Sequence, residues 1–297
     1  MESSDASIGR ATALIIVSAV GFGSISVLTV LTTGAGVPLL TVMAWRYLLG
    51  ALLLGAAAQS VTSQSVRKRR VVEILLIGGF GQALITYISL FSLRFISVGP
   101  LAFLFYTYPA WVAIVAALRG AERLTAVRVM ALVLALAGVT VMIGAPSARL
   151  NPIGVGFALA SALLYSIYLP ALEYVQQGVP PIFATFLLIL GAAVSFLLAA
   201  LVRSELFIPH GTAIWINILL LTVVSTVIAF SSLIKGLSVL GPVRTAIIAA
   251  VEPFFTAILG VVVLRNQLSA STIAGGILIG AAILLIERSS TRIAATA

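Results

Sequence analysis

The strongest constraint on this chain is a succession of apolar runs, each about as long as a bilayer is thick. A membrane-crossing helix needs about 20 predominantly apolar residues. Such runs fall at about 11–31, 39–58, 71–93, 98–118 and 125–144, and five more at about 152–175, 182–202, 213–236, 242–264 and 271–288. Glycine and proline punctuate them at Gly34, Gly36 and Pro38, Gly99-Pro100, Asn151-Pro152, Pro180-Pro181 and Gly241-Pro242, where turns are cheapest to make. Only 8% of the residues are charged and 61% are hydrophobic, whereas soluble domains carry roughly 25% charged residues. The expected fold is an all-α integral membrane protein with ten transmembrane helices.

The formal net charge of +9 would suit nucleic acid were the charges on one face. They lie instead in the short loops. With the N-terminus in the cytoplasm, eleven Lys and Arg face inward, Arg67, Lys68, Arg69 and Arg70 foremost, against four facing outward (Arg94, Arg149, Arg203 and Arg265). That asymmetry sets orientation. Both termini are expected in the cytoplasm and the partner is the lipid bilayer, with no nucleic acid. There are no cysteines, and the one histidine, His210, sits beside Pro209 without a second histidine. Disulfides and thiolate chemistry are excluded, and no metal site is expected.

The chain also repeats itself. Pro109 and Pro253 lie 144 residues apart, and seven of the 35 positions from Pro109 to Ile143 are identical at that offset, including Ala113/Ala257, Leu124/Leu268 and Leu134/Leu278. Gly99-Pro100 and Gly241-Pro242 open the two stretches. The segment MIGAPSARLNP, from Met142 to Pro152, is the natural half boundary. Residues 1–148 and 149–297 are each expected to form a five-helix unit. An odd number of crossings per unit makes the second copy enter from the opposite face, so the repeat is inverted.

Ionisable residues inside membrane helices are costly and point to function. Glu252, beside Pro253, lies about 15 Å from Pro242 along a helix, near the midplane of the bilayer. It is expected to contact the solute, by carrying a proton or by meeting an ammonium group. Pro109 and Pro253 are expected to kink their helices, each removing a backbone hydrogen bond. Tyr108 occupies the position matching Glu252, on a face with Leu101, Phe105 and Trp111. Helical spacing adds Gly78, Gln82, Thr86 and Ser89 from the third span, Ser161, Tyr165 and Tyr168 from the sixth, and Thr222, Ser225, Thr226, Ala229 and Ser232 from the eighth. From these stripes the expected substrate contacts are Gly78, Gln82, Thr86, Tyr108, Ser161, Tyr165, Tyr168, Ser225 and Glu252. Arg46, about 10 Å below the outer surface by the same helical rise, either snorkels outward or neutralises a carboxylate. Gly276 and Gly280 form a small-residue step that is expected to pack within a monomer, with homodimerisation as its other use.

Taken together, Arg46, Ser97-Val-Gly99-Pro100, Tyr108-Pro109, Ala121-Glu122-Arg123-Leu124-Thr125, Gly241-Pro242, Glu252-Pro253 and Arg265-Asn-Gln-Leu268 resemble the EamA type of the drug/metabolite transporter superfamily. Two positions depart from that pattern. Asn266 stands where the family commonly has glutamate, and Ile189 falls where a second Arg46 would be expected. The resemblance implies a transporter exporting amino acids or similar small metabolites across a bacterial inner membrane by alternating access. The aromatic set is similar to that of exporters of aromatic amino acids. A passive facilitator, with Glu252 structural, is the alternative within transport. An intramembrane enzyme would need a nucleophile–base pair or metal ligands in the spans, and neither a Walker A loop nor GxSxG occurs. No cofactor is expected.

Overall fold

The computed structural model describes residues 2–59, 66–96, 98–120, 125–143, 150–264 and 269–295, and every regular element among them is helical. The first half contains α1 (Glu2–Gly34), α2 (Leu39–Ala58), α3 (Lys68–Glu73), α4 (Gly81–Phe91), α5 (Val98–Phe105), α6 (Tyr108–Leu118) and α7 (Ala126–Ile143). The second contains α8 (Pro152–Val175), α9 (Pro181–Val202), α10 (Thr212–Thr222), α11 (Ala229–Ala249), α12 (Glu252–Leu264) and α13 (Ala270–Ala295). Seven helical stretches among the described residues are long and apolar enough to cross a membrane, and three shorter apolar helices accompany them. Ser97, the loop motifs at 121–124 and 265–268, and most of the half boundary (144–149) lie outside the described residues.

Two features depart from a simple succession of α-helices. The third and eighth expected spans each contain a π-helical segment, Ile74–Phe80 between α3 and α4 and Val223–Ile228 between α10 and α11. A π turn holds one residue more than an α turn, and it recurs at functional positions. Two helices meet in a kink at Gly241 (φ 72°, ψ 172°), where the expected spans 213–236 and 242–264 divide, and the second of them is interrupted again between Ala249 and Glu252. That conformation is open to glycine and to little else. The following Pro242, which lacks an N–H, makes the bend permanent.

The packing reads the same from either half. α2 lies along α9, and α7 along α13. α1 packs on the second π segment, α11 and α12, while α8 packs on α4, α5 and α6. The first π segment packs on α9, and α10 packs on α2. Nearly all the principal contacts therefore join one half to the other. Two crossings bring backbones together. In α7 and α13, a Cβ added to Gly138 would meet the Gly275 carbonyl oxygen at 2.7 Å. In the first π segment and α9, Gly79 lies against Gly191 with no room for a side chain on either. The close approach in α13 thus uses Gly275. Of the expected step, Gly276 faces the ring of Phe254 and Gly280 faces open space.

Candidate functional site

The two proline positions produce the same backbone event. Proline at position i excludes the carbonyl of residue i−4 and supplies no N–H. Four residues before Pro109 is Phe105, the last residue of α5; four before Pro253 is Ala249, the last residue of α11. The chain crosses each gap with matched short bonds. Thr107 N–H donates to Leu104 O at 3.3 Å and Ala110 N–H to Thr107 O at 3.1 Å. At the same offset of 144, Val251 N–H donates to Ile248 O at 3.2 Å and Phe254 N–H to Val251 O at 3.0 Å. Each proline sits just inside a fresh helix whose first residue is Tyr108 or Glu252. Each proline thus interrupts the helical hydrogen bonding where a kink is expected, while Thr107 and Ala250 keep right-handed helical φ/ψ.

A cavity of about 1020 Å³, including the space open at its mouth, lies between these breaks. Glu252 enters it from the start of α12 and shares it with Tyr106, a residue of the opposite break. Around the carboxyl stand aromatic rings from α5, α6 and α8. Tyr108 and Tyr165 meet edge to face at 4.8 Å, Phe105 lies 5.3 Å from Tyr108, and Tyr106 lies 6.1 Å from Tyr108. Gln82 and Thr86 form a neutral polar wall on α4, with the Gln82 amide donating to the Thr86 hydroxyl at 2.8 Å. α1 closes the remaining side with Ser18, Phe22 and Ser26.

Five of the expected contacts meet here: Gln82, Thr86, Tyr108, Tyr165 and Glu252. Four are placed elsewhere. Gly78 sits in the first π segment against Leu172 and Leu188, and its carbonyl accepts a bond from the Tyr168 hydroxyl at 3.1 Å. Gly78 and Tyr168 thus brace each other outside the cavity. Ser161 is fully buried and donates to the Ala158 carbonyl within its own helix. Ser225 is buried against α1, 2.6 Å from the Ser24 hydroxyl. Trp111, expected on the Tyr108 face, points outward and is more than a third exposed, while Leu101 and Phe105 do reach the cavity. Tyr106 and the Ser18–Phe22–Ser26 stripe went unnoticed in the sequence. The stripe has i, i+4 spacing, and Tyr106 stands three residues before a helix-breaking proline; both signals were available.

Arg46 takes neither of its two expected roles. Its side chain is fully buried, so it does not snorkel, and among the described residues no carboxylate pairs with it. Its Nε donates to the Thr226 hydroxyl at 2.7 Å and Nη2 to the Ser225 carbonyl at 3.0 Å, and the guanidinium stacks 4.9 Å from the Tyr47 ring. The Thr226 hydroxyl in turn donates to the Leu221 carbonyl at 2.9 Å, five residues back and just ahead of the π segment. Arg46 therefore fastens α2 to the second π segment.

Sequence comparison decides the family. The EamA-like transporter family matches twice, over residues 9–144 and 152–288. The chain belongs to the EamA-like transporter family. It is a multi-pass membrane protein of a transporter family, and the two matches place one break and its surroundings in each copy. A crystal structure of another protein is similar over 96% of this chain and 99% of its own, with a TM-score of 0.79 and 20% identity; at that identity the likeness concerns the fold. Comparison with curated protein sequences gave no match.

Proposed function

We propose that this EamA-like protein is a secondary transporter that exports small amphipathic metabolites, amino acids and above all aromatic ones among them, by alternating access. Residues 1–148 and 149–297 form two inverted five-helix units in this reading, crossing a bacterial inner membrane ten times with both termini in the cytoplasm. The observation that carries it is the position of Glu252: a carboxyl at a helix break, inside an aromatic-walled cavity built from both halves. Paired broken helices of related sequence are where transporters bind their solutes. The cross-half packing supports rocking of one unit against the other, since the site is divided between them. The test is flux in liposomes holding the purified protein, screened over amino acids and related metabolites, with and without a pH gradient. Saturable movement of an amphipathic solute is expected. Absence of protein-dependent movement for every class would remove the reading. Flux that ignores the gradient would leave a passive facilitator in its place.

A further inference from the structure

The charge inventory of the cavity is lopsided. Glu252 is the one acidic side chain in the described lining, and no lysine, arginine or histidine stands there with it. The groups facing Glu252 are the phenols of Tyr106, Tyr108 and Tyr165, and the rest of the lining is hydroxyl, amide or apolar. Arg46 cannot supply the missing cation, because its donors go to Thr226 and Ser225 and it does not line the cavity. Gln82 is a neutral donor and already spends one N–H on Thr86.

Such a site treats the two charged ends of an amino acid unequally. An ammonium entering among the rings gains the carboxylate and the ring faces together, the arrangement by which aromatic cages hold ammonium ions. An α-carboxylate on the same molecule would sit within a few bond lengths of that ammonium, close to Glu252, with no counter-charge to meet it. A charge left unpaired out of water is strongly disfavoured, and two like charges at short range add to the cost. We infer that the cavity selects amphipathic monocations: an ammonium on an aromatic or apolar body, with the carboxyl absent, esterified or amidated. This inference rests on the transport reading above but departs from it on the solute: among small amphipathic metabolites it favours amines, esters and amides over free aromatic amino acids.

Titration calorimetry on the purified full chain tests it with four probes of one skeleton. Phenylethylammonium and phenylalanine methyl ester carry only the positive charge, phenylalanine carries both charges, and 3-phenylpropionate only the negative one. The two cations are expected to bind at least about tenfold more tightly than phenylalanine, the lower end of what an unpaired charged group costs, and phenylpropionate is expected not to bind. In Glu252→Gln the preference of cation over zwitterion is expected to disappear, while Glu252→Asp, which keeps the charge, retains part of it. Phenylalanine binding as tightly as its ester would overturn the inference, as would a preference that survives in Glu252→Gln or no binding by any of the four. Liposome flux of some other metabolite class would then leave transport standing without the cation selectivity, whereas no flux of any solute would remove the transport reading itself.

Discussion

The two broken helices are alike in backbone and unlike in chemistry. At Phe105–Pro109 and at Ala249–Pro253 the helix stops four residues before the proline, and the same pair of short hydrogen bonds bridges the gap. Yet the residue that starts the new helix is Tyr108 in one half and Glu252 in the other, and only the second is a carboxylate. The second helices show the same division. Arg46 on α2 is buried and fastened to the second π segment, while Ile189, near the matching place on α9, is equally buried and purely apolar. Duplication supplied a symmetric frame, because prolines and glycines act through the backbone. Glu252 and Arg46 each stand in one half only, so the frame is chemically asymmetric.

The comparison can be broken outright by topology. If the halves are inverted copies, single cysteines at Gly34 and at Gly178 should react with an impermeant thiol reagent from opposite sides of the membrane. Reaction from the same side would end the inverted reading. Next in size is the contrast between Glu252 and its mate. Glu252→Ala should lower flux about 100-fold and Glu252→Gln about tenfold, the range for losing a charged partner. Tyr108→Phe should cost only a few-fold, since its ring, not its charge, lines the cavity. If flux of the wild type answers an imposed pH gradient, Glu252→Gln should lose that response; a wild type indifferent to the gradient removes the proton-carrying role and leaves solute contact.

Smaller effects test the frame. Gly191→Leu forces a side chain between touching backbones and should destabilise by about 1–3 kcal/mol or more, whereas Gly280→Leu, which faces open space, should stay within about 0.5 kcal/mol. Thermal melting in detergent reads both. Arg46→Met should cost about 1–3 kcal/mol through the bonds it forfeits to Thr226 and Ser225, and Ile189→Val about 0.5–1.5 kcal/mol. Equal losses at the two sites would mean that Arg46 serves only as filling.

Much of this was legible in the residues, for a physical reason. Apolar length, proline position and a lone buried acid act locally, so the spans, the breaks and Glu252 could be read by counting. The π segments could not. One added residue per turn rotates everything beyond it by about 100°, and a stripe counted at 3.6 residues per turn goes out of phase on crossing it. Gly78, inside the first π segment, therefore leaves the cavity while Gln82 and Thr86, beyond it, stay. In the eighth span, Thr222, Ser225 and Thr226 turn to Arg46 and α1, and Phe230 and Leu233 take the cavity face. Small hydroxyls also misled for a simpler reason: Ser161 satisfies itself on its own helix, as serines in membrane helices can.

The glycine crossings have a mechanical consequence. Side chains that interlock across a helix pair act as teeth, and the pair turns only when they disengage. Gly79 on Gly191 presents smooth backbone to smooth backbone, whereas Gly138 on Gly275 is flanked by the Ile279 and Met142 side chains, and each contact lies in a helix pair that joins the halves. At either point the two halves approach as closely as backbone allows, and a single methyl group would act as a wedge driven between them.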